Sequence, residues 1–187
     1  MSAKNFHDVS SSIMMELTKC LDTISSEEIE SLIAKIKQSH RIFCFGVGRS
    51  GIILRSFCMR LNHLGLDSYY LGSIQCPPAT KDDLLLLVSG SGETGSVLAY
   101  ANQARDIGCS LACITANRIN PLIALAEVVI NVKAPSSLIN TNSGSKQPMR
   151  SLFEQGAFII CETLLLMLQS DLCVSELDMA RRHANIV

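Results

Sequence analysis

The stretch that decides the fold is residues 84–94, which read LLLLVSGSGET. Its apolar half is too short for a helix of ordinary length and is typical of a strand buried on both faces of a sheet. Its polar half is a loop of small residues, and an amphipathic segment, 97–107, follows. Hydroxyls, backbone N–H groups and the positive end of a helix dipole together can hold an anion. An ordinary strand-to-helix turn is the alternative, because Ser, Gly and Thr suit turns.

A second strand–loop–helix unit lies upstream, and its loop, residues 46–51, reads GVGRSG. This loop matches the dinucleotide-binding fingerprint, but no acidic residue ends the next strand, 68–71, where it would bind a ribose. The glycines therefore favour a tight turn close to a smaller ligand, with Arg49 and Ser50 as the side chains offered to it. Two such loops in one small domain predict a phosphorylated ligand.

The order of elements along the chain predicts an α/β domain with a parallel sheet and helices on both faces. Residues 1–187 form one domain in this interpretation, with 1–38 as N-terminal helices and 39–187 as the α/β core and C-terminal helices. Two amphipathic helices, 6–22 and 26–38, make up the N-terminal helical extension. The remaining expected elements are strands at 41–46, 68–71, 84–88, 109–115 and 127–132, helices at 51–64, 95–107, 121–126 and 151–169, and a long loop at 133–148.

Composition excludes several classes of protein. A net charge of −1 without a basic block argues against broad affinity for nucleic acid or anionic membranes. The eight cysteines lie mostly in apolar runs and the N-terminus lacks an apolar segment, which predicts reduced core thiols in a cytoplasmic protein. The four histidines lack helical metal spacing, so no metal site is expected. The most apolar segment, 152–168, is shorter than a comfortable membrane span and is interpreted as a core helix.

Glu154 and His183 are the candidate proton carriers. Glu154 opens an apolar helical stripe, and partial desolvation there favours a general-base role. However, Ser151 lies three residues earlier, so the pair also fits a capping box. In that role the Glu154 side chain would only accept a hydrogen bond from the backbone at the start of the helix. His183 follows two arginines, and it is either a solvated tail residue or a proton shuttle beside a phosphosugar.

Five motifs together resemble the 6-phospho-3-hexuloisomerase family, which belongs to the SIS (sugar isomerase) domain superfamily. The SGSGET loop is shared by many SIS domains, whereas the QPMRSLFEQ block and the RHAN ending are more specific to the hexuloisomerase branch. The motifs are GVGRSG at 46–51, MRLNHLG at 59–65, SGSGET at 89–94, QPMRSLFEQ at 147–155 and RHAN at 182–185.

The resemblance implies a flavodoxin-like five-stranded sheet, a homotetramer and an isomerase without metal or redox cofactor. It implies interconversion of D-arabino-3-hexulose 6-phosphate and D-fructose 6-phosphate through a cis-enediol, in formaldehyde fixation by the ribulose monophosphate pathway. Glu154 matches the family's proton acceptor, and His183 is expected near the active site of a neighbouring subunit.

Two alternatives to this activity remain. One is another SIS isomerase, acting on arabinose 5-phosphate or sedoheptulose 7-phosphate, and the other is a non-catalytic phosphosugar-binding protein. Glu93 should point away from a bound anion or pair with a cation such as Arg49. The predicted substrate- and phosphate-binding residues are Arg49, Ser50, Ser89, Gly90, Ser91, Gly92, Glu93 and Thr94.

Overall fold

A five-stranded parallel sheet forms the centre of the molecule, as seen in a computed structural model that describes residues 5–135 and 145–186. The strand order is β2-β1-β3-β4-β5, which is the order of doubly wound flavodoxin-like folds. The predicted fold class is therefore confirmed. The strands are β1 (Ile42–Gly46), β2 (Ser68–Tyr70), β3 (Leu84–Val88), β4 (Ser110–Thr115) and β5 (Val128–Asn131).

Helices cover both faces of this sheet. Alternate side chains of β1 point to opposite sides, so Ile42 and Cys44 enter one apolar core while Phe43 enters the other. The first core is closed by α1, α2, α3 and α5, and the second by α4. The helices are α1 (Phe6–Leu21), α2 (Ser26–Gln38), α3 (Arg49–His63), α4 (Gly95–Ile107), α5 (Ser151–Asp171) and α6 (Glu176–Arg181).

Two local predictions differ from the structure. The expected helix at 121–126 is a single 3₁₀ turn, Ile123–Leu125, where the Asn120 side chain accepts a hydrogen bond from the Ile123 N–H at 3.0 Å. The C-terminal segment, predicted as polar and within the C-terminal helices but without bounds for a second helix, contains α6, which begins with a capping box between Ser175 and Asp178. Most of the loop predicted at 133–148, residues 136–144, lies outside the described residues.

The longest helix, α5, is long and apolar enough to cross a membrane by length and composition alone. Its place in the fold accounts for that composition, because it packs against α3 and α1 in the first core. Leu164 and Leu168 are fully buried there, and Gly156 lies against Val132 of the segment that follows β5. The interpretation of this segment as a core helix is confirmed.

A buried ion pair stabilises the edge of the sheet at the amino ends of the strands. The Asp83 carboxylate accepts hydrogen bonds from Arg41 Nε at 3.2 Å and from the Thr80 N–H at 2.7 Å. The Asp83 side chain is fully buried. Burial by itself raises the pKa of Asp83, but the hydrogen bonds from Thr80 and Arg41 outweigh it and hold the pKa below its usual range.

Candidate active site

The carboxyl ends of β1 and β3 place the two predicted loops side by side. In the parallel register Gly46 lies opposite Val88, so the loop after each strand leaves the same edge of the sheet. This edge is where ligands bind in open α/β sheets. The sequence-based expectation that the loops 46–51 and 89–94 meet there is confirmed.

The glycines of the first loop allow close packing of β1 against α3. A Cβ on Gly51 would lie 2.5 Å from the Gly46 carbonyl oxygen and 2.7 Å from the Tyr70 hydroxyl. Tyr70 donates a hydrogen bond to that same carbonyl at 2.6 Å. Gly48, with φ of +61°, is the N-cap of α3, so the loop turns directly into the helix and begins it at Arg49.

The second loop folds back on itself through its own hydroxyls. Ser89 Oγ accepts a hydrogen bond from the Gly92 N–H at 3.2 Å, and Ser91 Oγ accepts one from the Glu93 N–H at 3.3 Å. Thr94 is the N-cap of α4, but its side chain makes no capping hydrogen bond. Within the described residues, the first-turn N–H groups of α4 are therefore left for another acceptor, as expected of an anion site.

The Asn120 side chain packs against this loop at Gly92. The sequence did not identify Asn120 as a functional residue. Gly92 has φ of +68°, and a Cβ there would lie 2.1 Å from the Asn120 side chain. The Asn120 amide donates to the Asn117 carbonyl at 2.6 Å and to Thr115 Oγ1 at 3.3 Å. The loop is thus fixed against the end of β4. Its conformation requires glycine at position 92 for both space and backbone angle.

Glu154 lies near the first loop and forms an ion pair with Arg49. Arg49 Nε is 3.0 Å from Glu154 Oε2, and Arg49 Nη1 donates to Ser151 Oγ at 3.3 Å. The Glu154 side chain is only 17% exposed, whereas that of Arg49 is 59% exposed. The pair brings together two predicted site residues that lie more than a hundred positions apart.

The predicted capping box at the start of α5 is wrong. The N-cap is Arg150, so Ser151 is already the first helical residue, and its hydroxyl contacts Arg49 instead of a backbone N–H. Glu154 pairs with the same arginine. The carboxylate is therefore not tied to the helix backbone, a bond that would have made it a poorer base.

Glu93 does not take part in this arrangement. Glu93 is exposed to solvent, and the guanidinium of Arg49 is paired with Glu154 instead. Of the two expectations for Glu93, pointing away from the anion or pairing with Arg49, the second is wrong. Ser50 is buried at the start of α3, one residue after Arg49.

A cleft opens beside the Arg49–Glu154 pair, between α1, α3 and α5. One part, of about 420 Å³, is lined mainly by apolar side chains, with Arg49, Glu154 and Gln155 as its polar members. An adjoining part, of about 680 Å³, shares Arg49 and Gln155 and is bordered by Ser151 and Glu16. Gln155 Oε1 is buried and has no hydrogen-bond partner within the described ranges.

Helix α1 anchors the segment that leads into α5. The Glu16 carboxylate accepts hydrogen bonds from Ser145 Oγ at 2.7 Å, the Lys146 N–H at 2.9 Å and Gln147 Nε2 at 3.3 Å. Burial raises the pKa of Glu16, but these hydrogen bonds outweigh it, and the net pKa lies below the ordinary value. The N-terminal extension is therefore part of the wall of the cleft.

His183 does not lie near Glu154 within one chain. Its ring is 5.2 Å from that of His63, at the C-terminal end of α3, while Arg49 is at the N-terminal end. Fourteen helical steps separate the two ends, about 21 Å at the α-helical rise. The structure therefore does not join the two predicted proton carriers in a single subunit.

His183 instead belongs to a cationic cluster that sequence analysis missed. Arg60 and Arg182 contact His63, through its Nδ1 at 3.4 Å and its carbonyl oxygen at 3.0 Å respectively. His63 is buried, and its pKa is lowered by desolvation and by the neighbouring charges of Arg60 and His183. The MRLNHLG motif, which contains Arg60 and His63, was the part of the sequence that could have pointed to this cluster. A cavity of about 580 Å³ adjoins the cluster.

The family is decided by comparison with known proteins. The family model of the SIS domain matches residues 35–149, which span most of the sheet and both loops. The chain belongs to the SIS domain family. The family predicted from the sequence is thereby confirmed.

Several relatives of this SIS domain carry the same name. The chain is 35% identical to the 3-hexulose-6-phosphate isomerase of Bacillus subtilis, covering 93% of this chain and 95% of the relative. It is 37% identical to the protein of that name from Methanocaldococcus jannaschii, covering 86% and 84%. A Methanococcus jannaschii crystal structure, described as inferring a function of 3-hexulose-6-phosphate isomerase, is 35% identical, with a TM-score of 0.80 and coverage of 97% and 98%.

No group of three or more His, Cys, Asp or Glu side chains is placed to share a metal ion within residues 5–135 and 145–186. All eight cysteines are free, and six of them are buried. The candidate site offers one mostly buried carboxylate, one paired guanidinium and the uncapped first turn of α4.

Proposed function

We propose that this SIS domain interconverts D-arabino-3-hexulose 6-phosphate and D-fructose 6-phosphate. The observation that carries the proposal is Glu154, mostly buried beside an open cleft, paired to Arg49 and free of a helix-capping role. The relatives that cover most of the chain and carry the name 3-hexulose-6-phosphate isomerase support the choice of substrate.

The reaction moves a carbonyl from C3 to C2 of an open-chain sugar. Glu154 removes the proton from C2 as the C3 oxygen gains a proton, which gives an enediol across C2 and C3. The same carboxyl then returns its proton to C3 as the C2 hydroxyl loses its proton and becomes the new carbonyl. One base suffices because C2 and C3 are bonded to each other, so the same carboxyl reaches both carbons. Arg49 holds one carboxylate oxygen, Oε2, which orients the base and leaves the other for the substrate. The Arg49 guanidinium also lies close enough to the carboxylate to stabilise a developing enediolate oxygen.

The phosphate serves as a remote handle in this proposal. The loop 89–94 and the first turn of α4 bind it, so its binding energy positions the reacting carbons without taking part in proton transfer. Ser50, on the adjacent loop, borders the same edge of the sheet. Sulfate or phosphate in crystals should therefore bind at the Ser89–Thr94 loop, and an anion bound only elsewhere would contradict this.

Turnover by the pure protein tests the proposal. We expect D-arabino-3-hexulose 6-phosphate and D-fructose 6-phosphate to interconvert, and arabinose 5-phosphate and sedoheptulose 7-phosphate to react far more slowly. Turnover of one of the latter pair alone would identify a different SIS isomerase. Binding of all of these sugars without turnover of any would indicate the non-catalytic phosphosugar-binding protein.

The proposal includes a homotetramer in the cytoplasm in which a neighbouring subunit contributes His183. Within one chain His183 lies the length of α3 away from Glu154, so a role for it at this site requires a second copy. We expect His183→Asn to lower turnover, with His7→Asn, on the exposed start of α1, as the control. Removing residues 183–187 with unchanged turnover and substrate affinity would exclude a role for His183.

A further inference from the structure

Arg150 is the N-cap of α5 and lies within the QPMRSLFEQ block, but the sequence suggested no role for its side chain. A Cβ built on Gly90 would be 3.5 Å from Arg150 Cδ and 3.1 Å from the Phe153 ring, so the arginine side chain runs along the backbone of the loop. Nε is bonded directly to that Cδ. The Nε end of the guanidinium therefore lies close to Gly90, near the start of the loop 89–94.

The guanidinium of Arg150 has no counter-charge. Arg150 is half-buried, its Nε is buried without a hydrogen-bond partner, and no acid within residues 5–135 and 145–186 forms an ion pair with it. The other arginines of the chain are satisfied by acids, amides, carbonyl oxygens, a histidine or an aromatic ring. Leaving a buried charged donor unpaired costs about 1–3 kcal/mol, so an arginine in this state is suited to an anion that arrives from solution.

Charge balance at the loop points to the same conclusion. Arg49 is neutralised by Glu154, and the loop 89–94 contains no lysine or arginine. A phosphate monoester brings close to two negative charges, while the end of a helix dipole supplies only about half a positive charge. A planar guanidinium can donate two parallel hydrogen bonds to phosphate oxygens.

We propose that Arg150 binds the phosphate group of the sugar phosphate and supplies the counter-charge that the loop lacks. The inference rests on the proposed function, which makes a sugar phosphate the ligand. Arg150 also lies one helical turn before Glu154, whose N–H donates to the Arg150 carbonyl. That hydrogen bond places the two residues about one helical turn apart, roughly 6 Å along the helix axis. A cation and a base so spaced fit the two ends of one substrate, with the phosphate on C6 and the reacting pair at C2 and C3.

Inorganic phosphate is the first probe, because its binding does not depend on turnover. Calorimetric titration should show phosphate affinity falling about 10- to 100-fold in Arg150→Met, as expected for losing hydrogen bonds from a charged group. Arg150→Lys should recover part of the affinity. The matched control is Arg105→Met, which removes an exposed arginine paired with Asp106 at the other end of α4 and should leave binding unchanged. Unchanged phosphate affinity in Arg150→Met, or no phosphate binding by the wild-type protein, would overturn the inference.

Steady-state kinetics give the second readout. Loss of a remote handle raises KM for the sugar phosphate by a similar factor and leaves kcat near the wild-type value. A fall in kcat with unchanged KM would place Arg150 at the reacting carbons and contradict the phosphate assignment. Wild-type turnover together with normal phosphate binding in Arg150→Met would remove the role of Arg150 alone. Arginine-dependent phosphate binding without turnover would instead remove the proposed isomerase function.

Stability measurements exclude a merely structural role. Arg150 caps α5 only through its backbone, since its side chain makes no capping hydrogen bond. Removing an unpaired buried donor should therefore keep or raise the melting temperature of Arg150→Met. A lower melting temperature in both Arg150→Met and Arg150→Lys, with equal loss of phosphate affinity, would show that the side chain supports the fold and not the ligand.

Discussion

Glu154 has its carboxylate mostly buried and held by a single cation, Arg49. If it is the base, Glu154→Gln should lower kcat by about 10²- to 10⁴-fold, because general-base assistance is lost. Phosphate affinity should stay close to that of the wild type, since the handle is bound by other residues. Steady-state turnover assays measure kcat, and calorimetric titration with phosphate measures the affinity.

The control for this substitution is Glu162→Gln, two turns later on α5, where the side chain forms no ion pair within the described residues. It should leave kcat unchanged. Near-normal turnover in Glu154→Gln would remove the general-base assignment and leave the mechanism without a proton carrier.

Asp83 is a second buried carboxylate, but its partners make it structural. Its pKa is depressed in the folded protein, so the ion pair stabilises fully above the unfolded value of about 3.9 and is lost as the pH falls through the folded pKa. Asp83→Asn leaves Arg41 without its partner and should destabilise the protein by about 3 kcal/mol at neutral pH. The mutant should lack this part of the acid-induced loss of stability.

Melting curves between neutral and acid pH check the expectation for Asp83. Asp106→Asn removes an exposed acid paired with Arg105 and should change the free energy of unfolding by about 1 kcal/mol or less. Equal melting temperatures for Asp83→Asn and the wild type would mean that the buried pair contributes nothing net.

At the scale of elements, the packing of α3 on β1 determines where Arg49 and Ser50 lie. Gly51→Ala would place a methyl group 2.5 Å from the Gly46 carbonyl oxygen and against the Tyr70 hydroxyl. The backbone has to shift, so we expect a loss of about 1–3 kcal/mol in stability and a rise in KM. Thermal unfolding and kinetics measure both effects.

Gly95→Ala is the matched control on the neighbouring loop–helix unit. A Cβ there meets no heavy atom within 4 Å, so the melting temperature should be unchanged or slightly higher. If Gly51→Ala melted like Gly95→Ala, the close approach of β1 and α3 would not be a requirement of the fold.

At the scale of the whole molecule, apolar side chains are exposed around the cleft. Ile52 is 68% exposed, Met14 59% and Phe158 41%, and they come from three different helices. Exposed apolar patches on this scale mark interfaces. We expect light scattering to show a particle of about four times the 20.3 kDa chain mass, as the proposed tetramer requires.

Phe158→Lys should shift that assembly to smaller species, because a charge in an apolar interface is costly. Ile107→Lys alters an equally exposed apolar side chain on α4, on the opposite face of the sheet, and should leave the mass unchanged. A wild-type monomer at micromolar concentration would contradict self-association.

The sequence by itself determined the elements and their arrangement. Helix α4 and strand β3 were both predicted with their observed bounds. The spacing of apolar residues indicates the amphipathic helix, and an unbroken apolar run indicates the strand buried on both faces, so both patterns can be recognised from adjacent residues. Alternation of strands and helices then leaves few topologies open. The edge that carries both loops follows from that alternation, so the position of the site was predictable.

The tertiary structure alone decided which side chains meet. Three examples join residues far apart in sequence: the Arg49–Glu154 pair, the approach of Arg150 to Gly90 and the tilted ring contact of His183 with His63. Local periodicity carries no information on such contacts. The cap at Ser151 was mistaken because a hydroxyl three residues before a glutamate satisfies the pattern whether it faces the backbone or a guanidinium from another helix. Packing of α5 against α3 settled that choice, since it brought the Arg49 donor within hydrogen-bonding distance of both side chains.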